Sequence, residues 1–110
     1  MYATTANLFK YLNDSFGIRT TFVDATDASN YRAAATPSTK IFWIETPSNP
    51  LVQITDIEAI TKAAKELGVS TIADNTFATP FNERPLDLGV DAVIHSATKY
   101  LGGHSTLRLE

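Results

Sequence analysis

Apolar residues recur at helical spacing at Leu8, Phe9, Leu12 and Phe16. This predicts a helix with one apolar face, with Thr4 or Thr5 available to cap its start and Gly17 placed to end it. Residues 18–23 change the pattern: they are β-branched and aromatic, alternate roughly and close on Asp24, which predicts a strand. Between Asp27 and Ala35, Ser29 is placed to cap a short helix containing Tyr31, which Pro37 ends. Ile41-Phe42-Trp43-Ile44 is a continuous apolar run, too apolar for a half-exposed strand, and predicts a central strand buried on both faces. Pro47 and Pro50 prevent any regular element through Glu45-Thr46-Pro47-Ser48-Asn49-Pro50, leaving a rigid loop at a strand end. Thr55-Asp56-Ile57-Glu58 has the form of a capping box, after which Ile57, Ile60, Ala64 and Leu67 make one stripe and Gly68 stops the helix. A short strand at 69–73 then ends on Asp74-Asn75-Thr76. A loop at 77–84 with Pro80, a helical turn at 86–88 and a strand at Ala92-Val93-Ile94 complete the pattern.

The alternation of strands and helices points to an α/β fold with a mostly parallel sheet flanked by helices, and no repeat or linker divides it. Each predicted strand ends on a polar residue: Asp24, Glu45, Asp74 or Ser96. Capping preferences alone place Asp and Ser at such positions. In open parallel sheets, however, ligands bind outside the carboxyl ends of the strands, so the loops carrying Asn49, Asp74 and Lys99 are placed to converge on one crevice.

Composition narrows the chemistry. The chain has 110 residues and a formal net charge of −3, with no basic run to recruit nucleic acid or an anionic membrane. It contains no cysteine, which excludes disulfides, thiolate zinc sites and a cysteine nucleophile and agrees with a reducing cytoplasm. No apolar run of membrane-spanning length and no leader pattern occur, so a soluble protein is expected. His95 and His104 lack metal-ligand spacing with carboxylates, and no metal site is expected. The nucleophile-elbow, phosphate-loop and dinucleotide glycine patterns are missing.

What remains is the stretch Ser96-Ala97-Thr98-Lys99-Tyr100-Leu101-Gly102-Gly103-His104, in which one lysine lies between two hydroxyl residues and a glycine pair. A lysine amine acts as a nucleophile when deprotonated, and its natural covalent partner is an aldehyde. Ser96 and Thr98 offer hydroxyls to a phosphate, and Gly102 and Gly103 allow close backbone approach. Pyridoxal 5'-phosphate combines an aldehyde, a phosphate and a ring nitrogen that must stay protonated, for which Asp74 supplies a carboxylate. Asn49 can hold the ring hydroxyl, and Tyr2 is the candidate to stack on the ring.

The motifs Glu45-Thr46-Pro47-Ser48-Asn49-Pro50, Ala73-Asp74-Asn75-Thr76-Phe77-Ala78-Thr79-Pro80, Arg84-Pro85 with Leu88-Gly89-Val90-Asp91, and Val93 through His104 resemble the trans-sulfuration family of pyridoxal-phosphate enzymes. That family comprises cystathionine γ-synthase, cystathionine lyases, methionine γ-lyase and O-acylhomoserine sulfhydrylases. The resemblance implies fold type I, the aspartate-aminotransferase-like large domain, of which residues 1–106 form a part and residues 107–110 a tail outside the family pattern, of possible vector origin. It implies Lys99 as the Schiff-base lysine and proton shuttle, and Asp74 as the partner of the pyridinium nitrogen. Ser96 and Thr98 become phosphate-binding hydroxyls, Asn49 the neighbour of the ring hydroxyl, and Tyr2 the stacking and acid–base tyrosine. Tyr2-Ala3-Thr4-Thr5 departs from the family by lacking its usual glycine, and Thr106 stands where many members have aspartate, as in the sulfhydrylase branch.

The implied activity is sulfur amino-acid metabolism, with γ-replacement on an O-acylhomoserine first and β- or γ-elimination from cystathionine or methionine second. The implied partners are an amino-acid substrate and further copies of the chain, a tetramer in the family. Members are several times longer and bind the substrate carboxylate through a C-terminal domain. The isolated chain is therefore expected to hold cofactor weakly and to be inactive, or to be a non-catalytic piece that associates through exposed sheet edges.

Overall fold

The apolar run at 41–44 forms β1 (Ile41–Glu45) in the computed structural model, which describes residues 1–106. β1 pairs in parallel with β2 (Ser70–Asp74), and β2 in parallel with β3 (Ala92–Ile94). The sheet has three strands in the order β1-β2-β3. The mostly parallel α/β architecture is thus as expected. Register aligns Glu45 with Asp74 and Asp74 with Ile94, so the strands finish level at their carboxyl ends.

One sheet face is closed by α3 (Ile57–Leu67), which packs on β1 and β2 and on α2 (Ser29–Ala34). Ile57, Ile60 and Ala64 of the predicted stripe meet Phe42, Ile44, Ala73, Val69, Val90 and Tyr31 in the core. Ile44 and Ile60 are 0 % exposed, and full burial of such side chains stabilises the fold by about 1.5–3 kcal/mol each. Gly68 ends α3 at a φ of 67°, a left-handed conformation for which glycine carries no Cβ penalty. Arg32 of α2 and Glu66 of α3 form an ion pair across the outside of this layer. The other face is covered only in part: the Phe9 ring of α1 (Ala3–Phe16) meets Trp43 edge to face at 5.2 Å.

Several local expectations are corrected. β1 is an edge strand rather than a central one, and its burial alternates, with Ile41 52 % exposed beside buried Phe42. Residues 18–23 are extended but form no strand, because among the described residues no strand lies beside them to take their backbone hydrogen bonds; Phe22 is 60 % exposed. Thr4 and Thr5 lie inside α1, whose cap position is Tyr2. Asp27, not Ser29, closes the start of α2, its Oδ1 accepting from the Ser29 amide at 2.9 Å. Asp56 caps α3 by accepting from the Ala59 amide at 2.9 Å, while the Thr55 amide donates to Thr46 Oγ1. The predicted loop at 77–84 contains one helical turn, α4 (Thr79–Asn82). The tail assigned to residues 107–110 lies outside the described residues.

Candidate active site

Asp74 ends β2 and is half-buried. Its Oδ1 accepts from the Thr76 amide at 3.0 Å and from Thr76 Oγ1 at 2.6 Å, a local turn of the kind that short acceptor side chains make two residues ahead. Thr76 Oγ1 in turn accepts from the Ser96 amide at 2.8 Å. One hydroxyl therefore joins the end of β2 to the loop that follows β3. That loop is wound tightly: the Lys99 amide donates to Ser96 O at 2.9 Å, Gly102 to Ala97 O and Gly103 to Lys99 O at 2.8 Å each. Gly103 sits at a φ of 70°, where a side chain would be strained. Ser96 Oγ and Thr98 Oγ1 lie 3.3 Å apart on this turn, and Lys99 stands exposed on it.

A second group forms around the end of β1. Glu45 receives the Tyr2 amide at 3.0 Å on both carboxylate oxygens and the Asn49 amide at 2.9 Å on Oε1. Asn49 is half-buried and Tyr2 exposed. Because Glu45 and Asp74 are Cα partners, both groups occupy the same edge of the sheet. No hydrogen bond joins the two groups among the described residues. Behind them Asn75, 1 % exposed, donates its amide to Ile94 O at 3.0 Å and its Nδ2 to Glu83 O at 2.9 Å, fastening β2 to β3 and to the end of α4.

The arrangement thus brings Asp74, Ser96, Thr98 and Lys99 into one bonded unit and holds Tyr2 and Asn49 in another. Two residues of this site, Thr76 and Glu45, had no role in the sequence reading. The spacing Asp-x-Thr is a visible signal for the first. Nothing in the sequence pairs Glu45 with Tyr2, 43 positions away. A wide apolar cleft of about 1110 Å³, walled by Leu8, Leu12, Ile18, Phe42 and Trp43 among others, lies against α1 and contains none of the six candidate residues. No cluster of three or more potential metal ligands occurs among the described residues, and no helix there is long and apolar enough to cross a membrane.

The donor set suits pyridoxal phosphate. A half-buried carboxylate oriented through one oxygen, a hydroxyl pair on a tight turn and a lysine on the same turn match its ring nitrogen, phosphate and aldehyde. An α/β domain with these groups at the carboxyl ends of parallel strands defines a pyridoxal-phosphate fold of type I. Residues 1–108 match the family model of Cys/Met metabolism PLP-dependent enzymes, and the chain belongs to that family. It is 49 % identical over 105 residues to a probable cystathionine gamma-synthase of Herpetosiphon aurantiacus, covering 96 % of this chain and 33 % of that protein. It is 51 % identical to a cystathionine beta-lyase of Bacillus subtilis, covering 96 % of this chain and 27 % of that protein. The crystal structure of cystathionine gamma-lyase from Lactobacillus plantarum complexed with L-serine superposes with a TM-score of 0.93 at 50 % identity, over 97 % of this chain and 28 % of that one. The chain thus spans about a third or less of the length of these relatives.

Proposed function

We propose that residues 1–106 are part of a pyridoxal-phosphate-binding large domain whose whole protein acts in sulfur amino-acid metabolism, as a cytoplasmic homo-oligomer, by γ-replacement on an O-acylhomoserine. The observation that carries this reading is the Thr76 hydroxyl, which binds the Asp74 carboxylate and the Ser96–Lys99 turn at once. It supports a single ligand spanning both. Bound there, pyridoxal phosphate supplies an electron sink for negative charge developing on substrate carbon.

Each residue has a separate task in this reading. Asp74 presents its carboxylate to the ring nitrogen and keeps a proton there. The Ser96 and Thr98 hydroxyls donate to the phosphate, and the Asn49 side-chain amide donates to the ring hydroxyl oxygen. The Tyr2 ring would stack on the pyridine face and its hydroxyl would serve in proton transfer. Lys99 Nζ would hold the cofactor's aldehyde carbon covalently, and its amine would serve as the base that carries a proton between substrate carbons.

Elimination from cystathionine or methionine is the second reading, favoured by the high identity to proteins named as lyases. Thr106, where many members carry aspartate, favours replacement. For the 110-residue chain alone, exposed Ser96 and Lys99 and a three-stranded sheet with open edges favour weak cofactor retention, no turnover and edge association.

The test is an absorbance titration of the chain with pyridoxal phosphate beside Lys99→Ala, followed by borohydride reduction and peptide mapping. A visible band that disappears in Lys99→Ala and maps to Lys99 is the expected result. Reduction that labels surface lysines indiscriminately in the full-length protein as well would overturn the assignment of Lys99. In the full-length protein, thioether formation from an O-acylhomoserine and a thiol marks replacement, whereas keto acid and ammonia from cystathionine mark elimination.

A further inference from the structure

We propose that Glu45 is a positioning residue that sets both Tyr2 and Asn49 through their backbone amides, an inference that rests on the cofactor-site reading above. Three amide-to-carboxylate distances carry it: 3.0 Å from Tyr2 N to each oxygen and 2.9 Å from Asn49 N to Oε1. The Glu45 side chain is only 9 % exposed, so this is an inward-facing group and not a solvated strand-end charge. The Met1 amino group also lies 3.7 Å from Oε1, but the clamp does not depend on it.

The chemistry asks for a carboxylate here. Tyr2 caps the start of α1 with no side-chain hydrogen bond of its own, and Asn49 lies in an irregular loop with no helix or strand ladder to take its amide, so each segment has an amide in need of an acceptor. A carboxylate has two acceptor oxygens and no donor, and it complements the positive end of the 14-residue α1. A glutamine of the same shape keeps one oxygen and turns an NH₂ toward an N–H. Glu45 is moreover the Cα partner of Asp74, so the group that sets the stacking tyrosine and the ring-hydroxyl asparagine is registered by the sheet itself to the group that meets the ring nitrogen. Ring tilt and ring-nitrogen contact are thereby set on one rigid edge, although Tyr2 and Asn49 never hydrogen-bond to each other among the described residues.

The experiment compares the wild-type chain with Glu45→Gln and Glu45→Asp in two readouts. The first, without cofactor, is amide hydrogen exchange with proton chemical shifts. In Glu45→Gln the oxygen kept at the Oε1 position accepts as a neutral group, so the Asn49 amide is expected to exchange roughly five- to tenfold faster, the range set by exchanging a charge-assisted hydrogen bond for a neutral one. The Tyr2 and Asn49 amide protons should move upfield while β2 and α3 amides keep their protection. Glu45→Asp keeps the charge but shortens the reach, so it should rescue one amide and not both. A role limited to the α1 dipole predicts instead full rescue by aspartate.

The second readout is induced circular dichroism per bound pyridoxal phosphate, which reports how the ring is held. It should fall in Glu45→Gln while the Lys99-linked absorbance persists. Unchanged amide exchange and shifts in Glu45→Gln would overturn the clamp, as would full rescue by aspartate; undiminished dichroism would overturn its bearing on the cofactor. If neither the wild-type chain nor the full-length protein shows a Lys99-dependent band, the cofactor reading fails together with that bearing, while the amide data still decide whether the clamp exists. Should Glu45→Gln not fold, Glu45→Asp gives the same two amide readings.

Discussion

Replacing Thr76 by valine removes one hydroxyl and keeps the branched shape. That hydroxyl donates to Asp74 Oδ1 at 2.6 Å and accepts from the Ser96 amide at 2.8 Å. A hydrogen bond to a charged acceptor is worth about 1.5–3 kcal/mol net, and the half-buried setting of both residues places this one toward the lower end. The Ser96 amide is on an exposed residue and finds water instead, so its loss adds only about 0.5 kcal/mol. The Thr76 amide keeps its own bond to Asp74. The expected loss is therefore about 2 kcal/mol. With a urea dependence of about 1–3 kcal/mol per molar, this moves the unfolding midpoint down by about 1 M. Fluorescence of Trp43, the single tryptophan, follows the transition. Thr76→Ser restores the hydroxyl and should recover most of the loss. A double-mutant cycle with Asp74→Asn should show coupling of about 1 kcal/mol or more. Equal midpoints for valine and serine, or additive effects in the cycle, would refute the idea that this hydroxyl joins the two loops.

Two further outcomes follow from the same structure. Asp56→Ala removes the acceptor of the Ala59 amide at the start of α3 and should cost about 1 kcal/mol, read as a lower thermal midpoint, whereas Thr55→Ala should leave the α3 cap intact. Burial pushes the Glu83 carboxyl above its ordinary range, and its Oε2 is buried without a partner among the described residues. The folded state therefore holds this proton more tightly than the unfolded chain, and stability is lost as pH rises from the ordinary glutamate range through the raised value. Glu83→Gln should be more stable than wild type at neutral pH, with the difference closing in acid; a difference independent of pH would contradict this.

The parts of the fold that were legible are those where local chemistry and tertiary packing agree. The stripe Ile57, Ile60 and Ala64 is buried as its spacing predicts, and Gly17 and Gly68 end their helices in left-handed conformations. The errors share one cause, which is that strand status depends on neighbours. Residues 18–23 carry strand composition but have no partner, and the run at 41–44 looks central yet has β2 on one side only. The expected caps differ from those observed because the deciding acceptor is whichever side chain reaches the amide: Asp56, one residue after Thr55, at α3, and Asp27, two residues before Ser29, at α2. For the site, motif similarity pointed to Lys99, Asp74, Ser96, Thr98, Asn49 and Tyr2. Thr76 and Glu45 act on those residues through hydrogen bonds: the Asp-x-Thr spacing carries the first contact, whereas the contact of Glu45 with Tyr2, 43 positions away, is written only in space.

The charge pattern along the sheet edge gives an independent reason to expect a dipolar ligand there. Glu45 and Asp74 are Cα partners on adjacent strands, and like charges placed opposite one another are unfavourable unless other groups offset them. Each is met by N–H donors: Tyr2 and Asn49 on one, Thr76 on the other. The donors on Asp74 are neutral, whereas Glu45 also has the Met1 amino group 3.7 Å from its Oε1, so the negative character offered at this edge rests mainly on Asp74. Beside it the Ser96–Lys99 turn offers hydroxyl donors and an ammonium or amine, the opposite character. A ligand with a cationic ring nitrogen at one end and a phosphate at the other complements both poles of the proposed site, and under that proposal cofactor binding and local stability are linked quantities in this domain.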